Sequence, residues 1–483
     1  MIGNRLTLAG LLLMVVGLAV IAEPAASAPW STAALRDLQA MHDLIRDNHP
    51  GPIDPENPDF LHWLDGGETG LLPQARRAAS LHDYQLVLRD YANGFADGHI
   101  GVILKDKPDH VWPGFLVRAD APGDKLRVSV GAGDVDVRTG DTLVSCAGTP
   151  AQDLLTDHVL RPLLNAHVPQ RLRLASASLM VTDADDIAGQ WPDCVVSAAG
   201  GHRTIALHWR PITQPALAVA EIRSSGIDIP ATGLRQIGDV WLISMPSFYP
   251  RDDAETSRLQ TLVAQVKAQA AHLHAARHVV LDLRGNDGGE DSWGIEVAEA
   301  LWGISAVDSV GNMLPSTVEW RVSTRNDAAI RGDAARLAQQ GQTEDANYYT
   351  KLARRMDGAL LAHERFMREP GNPPGPVPHL VSPFAHPVYL LTTPHCASAC
   401  LDVVDIATRL PGVVQVGLET SSDTDYLETA TSPLPSGHAS LRYAMKVFRG
   451  RVRGANVSYK PAIVWPGGEM NGIAIADWID RLP

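Results

Sequence analysis

The sequence predicts a multidomain α/β chain, and three observations support that. Its 483 residues exceed what one hydrophobic core ordinarily fills. Short strand-like runs separated by turn residues dominate the middle of the chain. The last part alternates continuous apolar runs with amphipathic helical ones, the pattern of a parallel sheet covered on both faces.

The elements follow in chain order. Residues 1–28 are expected to be a signal peptide. Arg5 gives a positive start, Leu6 to Ala22 is almost wholly apolar, and Ala25, Ala26, Ser27 and Ala28 are small. Ala26-Ser27-Ala28 fits cleavage after a small-x-small triplet, although Pro29 would follow the cut; Val20-Ile21-Ala22 is the other site. The apolar run is short for a membrane span, and an uncleaved N-terminal anchor is the alternative. Export, to the periplasm or beyond the cell, is therefore expected, with no stable membrane insertion once the signal is removed.

Residues 29–108 read as a helical region. Ser31 is a candidate cap, and Leu35, Leu38, Leu44 and Ile45 fall on one side at helical spacing. His49-Pro50 ends that helix, because proline restricts the residue before it. A loop rich in Pro, Gly and Asp runs to residue 58, and Leu81, Tyr84, Leu86 and Leu88 mark a further helix ending at Asn93-Gly94. From 112 to 213 short strands take over. Leu126 to Val130 alternates as a half-buried strand does, Gly140 to Ser145 is another, and Thr204 to Trp209 closes the region. Residues 214–233 are weakly patterned and read as a linker.

Residues 234–483 carry the α/β alternation. Val240–Ser244, His278–Leu283, Pro387–Thr393 and Val413–Val416 read as strands. Between the first two, Leu259, Leu262, Val266, Ala270 and Leu273 line one face of a long helix. A polar, charged and partly helical stretch at 310–380 reads as an insertion.

Bulk properties narrow the function. With 41 basic and 55 acidic residues the formal net charge is −14, which argues against a general nucleic-acid binder. The four cysteines would meet an oxidising compartment in an exported chain. Cys396 and Cys400 are near enough in sequence to bridge locally, leaving Cys146 with Cys194. They are too scattered for a zinc site. His274 and His278 have metal-ligand spacing only if both are helical, and His278 reads as the start of a strand. No metal or cofactor is called for.

The chemistry centres on two segments. Leu390 to Cys400 reads as a strand, a tight turn and a helix start, which exposes Ser398 at the end of a sheet. A helix N-terminus offers free N–H groups to a developing oxyanion. A serine at a helix start is, by itself, more often a cap. The second segment, Asp282-Leu283-Arg284-Gly285-Asn286-Asp287-Gly288-Gly289, is a buried strand running into a glycine-rich turn. No Gly-x-x-x-x-Gly-Lys-Ser/Thr motif accompanies it, so a nucleotide role is weak.

Together these segments resemble those of the tail-specific, or C-terminal processing, serine peptidases. That resemblance implies a helical N-terminal region, a PDZ-like domain at 112–213 and a ClpP/crotonase-like catalytic core, with Ser398 as nucleophile. Many members activate the serine with a lysine downstream, but here 401–445 contain no lysine and the first is Lys446. The tricorn-like branch uses histidine instead. Ala96-Asp97-Gly98-His99 resembles its histidine segment, so His99 is the implied general base. Where that branch has a glutamate before its closing strand, this chain has Asn456, the implied orienting group, with Glu419 as a competitor. The implied oxyanion donors are the N–H groups of Ala399 and of Gly288 or Gly289. His395, three residues before Ser398, is a weaker candidate base.

The expected activity is peptide-bond hydrolysis through an acyl-enzyme on Ser398, with a peptide or protein as partner. Two alternatives stand: a non-catalytic ligand- or peptide-binding member of the fold, and an esterase-type acyl hydrolase. The Gly-x-Ser-x-Gly elbow of α/β-hydrolases is absent, since Cys396 and Cys400 flank Ser398.

Overall fold

The computed structural model describes residues 30–105, 107–119, 125–131, 133–160, 169–198, 200–311, 313–314, 317–339, 342–369 and 379–482. The expected signal segment 1–28 lies outside them. A six-stranded sheet organises the C-terminal part, in the order Gly233–Ile237, Val240–Ser244, His278–Asp282, Val388–Thr392, Val413–Gly417, Ile463–Val464. The first pair is antiparallel and all the others are parallel. The two central strands are buried at every residue, which is why they read as unbroken apolar runs. Successive side chains point to opposite faces. Val279, Leu281 and Leu390 therefore pack with Leu262, Val266 and Val404 from helices on one side. Val280, Tyr389 and Leu391 pack with Ile475 and Trp478 on the other.

The helical N-terminal region is not a separate unit. Helices Trp30–Asn48, Asp59–Arg77 and Leu81–Asn93 share one core with Trp320, Ile330, Met356, Tyr443 and Met445. The stretch expected to be an insertion supplies much of this lobe. It folds as strand Thr317–Arg321, helices Thr324–Gln339 and Thr343–Leu361, and strand Phe366–Glu369. Its apolar side is narrow, so a mostly polar composition hid Ile330, Leu352 and Met356, which are buried. Strand Gly101–Leu104 pairs antiparallel with Ala439–Arg449 and so draws the loop before it against the C-terminal part of the chain. Helix Asp59–Arg77 escaped the sequence reading because Gly66, Gly67, Gly70 and Pro73 dilute its pattern.

The strand-rich region has its own antiparallel sheet, ordered Phe115–Ala119, Leu126–Gly131, Thr142–Cys146, Asp193–Ala198, Gly201–Ala206, and its own core. The expected linker 214–233 contains instead a helix, Gln214–Ser225. Thr213 caps it by accepting from Ala216 N–H, and Gly226 ends it at φ 68°. Its exposed Val219 and Ile222 blur the amphipathic pattern that would have marked it.

Candidate active site

The central strands His278–Asp282 and Val388–Thr392 end side by side, the place where parallel sheets carry their sites. Each runs into a turn built by its own residues. In the first, Arg284 is fully buried and grips Asp282 through Nε and Nη2 at 2.9 and 2.7 Å. Its Nη1 donates to the carbonyls of Asp228 and Met470 at 2.9 and 2.8 Å. A buried guanidinium is tolerable when paired and hydrogen-bonded in this way. Asn286 donates to Met245 O at 2.8 Å and accepts from Gly288 N–H at 2.9 Å. The turn thus delivers Gly288 against the serine. A Cβ there would lie 2.9 Å from Ser398 Cβ and 2.8 Å from Ala397 O, and the residue's φ of 106° already favours glycine.

In the second turn, Ser398 precedes helix Ala399–Ala407 with φ 53° and ψ −128°, a conformation costly for any residue but glycine. Its hydroxyl makes no capping bond to that helix. The carbonyl of Ser398 takes the N–H of Leu401 at 2.8 Å. Among the described residues, the N–H groups of Ala399 and Gly289 meet no acceptor and remain for an oxyanion. The N–H of Gly288 does not: Asn286 holds it, and Gly288 contributes close approach instead.

His99 arrives on the loop between helix Leu81–Asn93 and strand Gly101–Leu104. Its Nε2 lies 3.4 Å from Ser398 Oγ. The backbone N–H of His99 donates to Asp97 Oδ1 at 2.9 Å, and its Nδ1 is 3.7 Å from the same oxygen. Asp97 is fully buried. It accepts from Thr424 Oγ1 at 2.9 Å and from His49 Nε2 at 3.1 Å. The N–H of Gly51 donates to His49 Nδ1 at 2.9 Å, so the neutral His49 ring carries its proton on Nε2, toward Asp97. Burial works against the Asp97 charge, but the hydrogen bond from His49 and the nearby His99 imidazole outweigh it and hold the carboxyl well below the usual range. His49 moves the other way from most paired histidines: burial lowers its pKa despite Asp97.

The carboxylate beside the His99 imidazole is therefore Asp97. Asn456 does not hydrogen-bond the imidazole. Its amide donates to Ala96 O at 3.2 Å, and among the described residues neither its Oδ1 nor His99 Nδ1 has a hydrogen-bond partner. Glu419 takes the Ser458 hydroxyl. Lys446 pairs with Glu428 at 3.2 Å and lies over the Trp320 ring. His395 Nδ1 is 3.5 Å from Thr393 Oγ1. His274 meets Leu301 O at 2.7 Å while His278 faces Asp480, so the two are engaged separately. Both cysteine pairs are bonded: Cys146 to Cys194 across neighbouring strands, and Cys396 to Cys400 across Ser398. Asp97 had a local signal, two residues before His99. His49 and Thr424 had none.

Residues 239–437, which include both turns, match the model of peptidase family S41, a family of serine-type peptidases. The fold is similar to that of mature CPAF, at 15% identity and a TM-score of 0.59, covering 93% of this chain and 96% of that one. A CPAF mutant gives 14% identity and a TM-score of 0.62, with 93% and 96% covered. CPAF complexed with lactacystin gives 15% and 0.60, with 93% and 97% covered. At these identities the likeness concerns the fold. No curated protein matches the chain.

Proposed function

We propose that the chain is an exported serine peptidase that cleaves peptide bonds through an acyl-enzyme on Ser398, with His99 as general base. The observation that carries this is the 3.4 Å approach of His99 Nε2 to a serine hydroxyl that is not used in capping its helix. Ser398 Oγ attacks the scissile carbonyl as His99 takes its proton. The tetrahedral oxyanion falls to the N–H groups of Gly289 and Ala399. The imidazolium, faced by Asp97, returns the proton to the leaving amine. Water then enters along the same route and releases the acyl group. The strand-rich region at 112–213, read as PDZ-like, suits recognition of an extended peptide at a sheet edge. Export is supported by the N-terminal segment and by four cysteines held in two disulfides.

The test is labelling by a fluorophosphonate, a serine-reactive probe. Wild type should label, and Ser398→Ala should not; labelling retained by that variant ends the nucleophile assignment. His99→Ala should keep the fold and lose turnover by about 10⁴-fold or more. A fully active variant would remove His99 from the mechanism.

A further inference from the structure

The nucleophile turn is bracketed by a disulfide. Cys396 and Cys400 are both fully buried, and their Cα atoms lie 5.3 Å apart. Four residues of extended chain would span roughly 13 Å. Holding the ends at that separation makes residues 397–399 arch, with Ser398 in the middle of the arch. Ser398 is also the residue at φ 53°, a conformation that persists only where the surroundings over-determine it. Three constraints converge there. Thr393 O holds Cys396 N–H at 3.0 Å, and Ser421 N–H holds Cys396 O at 3.0 Å, fixing the strand side. Gly288 packs against the serine from the neighbouring turn. The disulfide joins the strand side to the first turn of the helix. Without it, the arch is free to relax toward an ordinary helix start in which the serine hydroxyl caps the helix.

We propose that the Cys396–Cys400 disulfide is a positioning cross-link for the nucleophile, so that the enzyme acquires its reactivity when this bond forms. The dithiol chain is folded but slow. An oxidising compartment then completes the site, and activity in a reducing cytosol is held down. This rests on Ser398 being the nucleophile.

The experiment uses the full chain made in a reducing cytosol with Cys146→Ala and Cys194→Ala, leaving one pair to oxidise. Oxidised glutathione is the oxidant: two cysteine thiols become one disulfide, and one oxidised glutathione becomes two reduced. The fluorophosphonate labelling rate is followed against the count of free thiols. The expected result is a rise of at least about tenfold in the limiting rate of inactivation as two thiols disappear, with the probe's apparent KI unchanged. Cys396→Ala/Cys400→Ala should label at the slow rate under both conditions and keep a cooperative thermal transition. Equal rates for dithiol and disulfide forms overturn the proposal and leave the nucleophile assignment intact. No labelling in either form overturns both. A change in KI with no change in limiting rate also overturns it, since that is a binding effect. If the Cys146/Cys194 variant does not fold, wild type serves, with each bond followed separately by mass mapping of alkylated thiols.

Discussion

Among the described residues two aspartates sit between two histidines, and one of these groups faces a serine hydroxyl. Asp97 lies between His49 and His99. Asp183 lies between His82 and His110, at 2.7 and 3.0 Å from their Nδ1 atoms. The first group is sealed, with Asp97 and His49 at 0% side-chain exposure. The second is partly open, with His82 at 23% and His110 at 20%. It joins the helical lobe, through His82 at the start of its third helix, to strands His110–Trp112 and Thr182–Asp183. The pKa directions separate accordingly. Burial is the largest influence on His49 and lowers it. The bond from Asp183 is the largest influence on His82 and raises it. A carboxylate between two imidazoles is thus a joint by default. It becomes a device when the far nitrogen of one imidazole faces a hydroxyl, as His99 Nε2 faces Ser398.

The largest expected effect breaks the symmetry of the two aspartates. Asp97→Asn should lower kcat by about 10³- to 10⁴-fold, because the neutral amide no longer favours the imidazolium and can present the wrong partner to His99 Nδ1. Asp183→Asn should leave kcat within about twofold and lower Tm by several degrees, since it removes the carboxylate that takes a hydrogen bond from His82 and faces His110. Steady-state kinetics and thermal unfolding of both variants decide this. Equal loss of kcat in the two would mean that Asp183 reaches the reaction, or that Asp97 does not.

The two histidine pairs should also differ in how pH affects their stabilities. His49 has a lowered folded pKa, so below its unfolded value of about 6.5 the unfolded chain binds the extra proton and stability falls with acidity. His82 has a raised folded pKa, so its contribution is complete below the unfolded value and fades as pH climbs through the folded one. The stability gap between wild type and His49→Gln should therefore shrink from about pH 8 to about pH 5.5. The gap for His82→Gln should widen over the same interval. Urea unfolding at the two pH values measures both, and gaps that move together would show that the two sites share one electrostatic regime.

The parts of this site legible in sequence are those that lie close together along the chain. The turn at 282–289 and the step at 396–400 are contiguous strings whose strand, glycine and serine residues announce their geometry. His99 was legible through its own loop. Asp97 stands beside it, but its approach to the imidazole depends on a side chain folding back onto the next turn, whereas spacing alone points to Asn456. His49 is 48 residues from Asp97 and Thr424 is 327, and nothing local marks either. The fold divides in the same way. Parallel strands buried on both faces read clearly. The lobe made from 30–104, 317–369 and 426–449 did not, because its sheet joins Thr317–Arg321 to Ala439–Arg449 and Gly101–Leu104 to the same strand.

The smallest effect concerns Thr424; among the described residues no hydroxyl hydrogen-bonds Asp183 in the same way. Its Oγ1 donates to Asp97 Oδ1, the oxygen that also takes His99 N–H and faces His99 Nδ1. Thr424→Val keeps the shape and removes one donor, at a cost of about 0.5–1.5 kcal/mol. If that cost is felt in aligning the base, kcat falls by roughly two- to tenfold and KM holds. The sign of a second readout is also set. A carboxylate with one donor fewer is more basic and stabilises imidazolium better, so the acid limb of the kcat profile should move to higher pH. A variant with lower kcat and an unmoved acid limb would make Thr424 a packing residue, and Asp97 would then be held by His49 and its own loop alone.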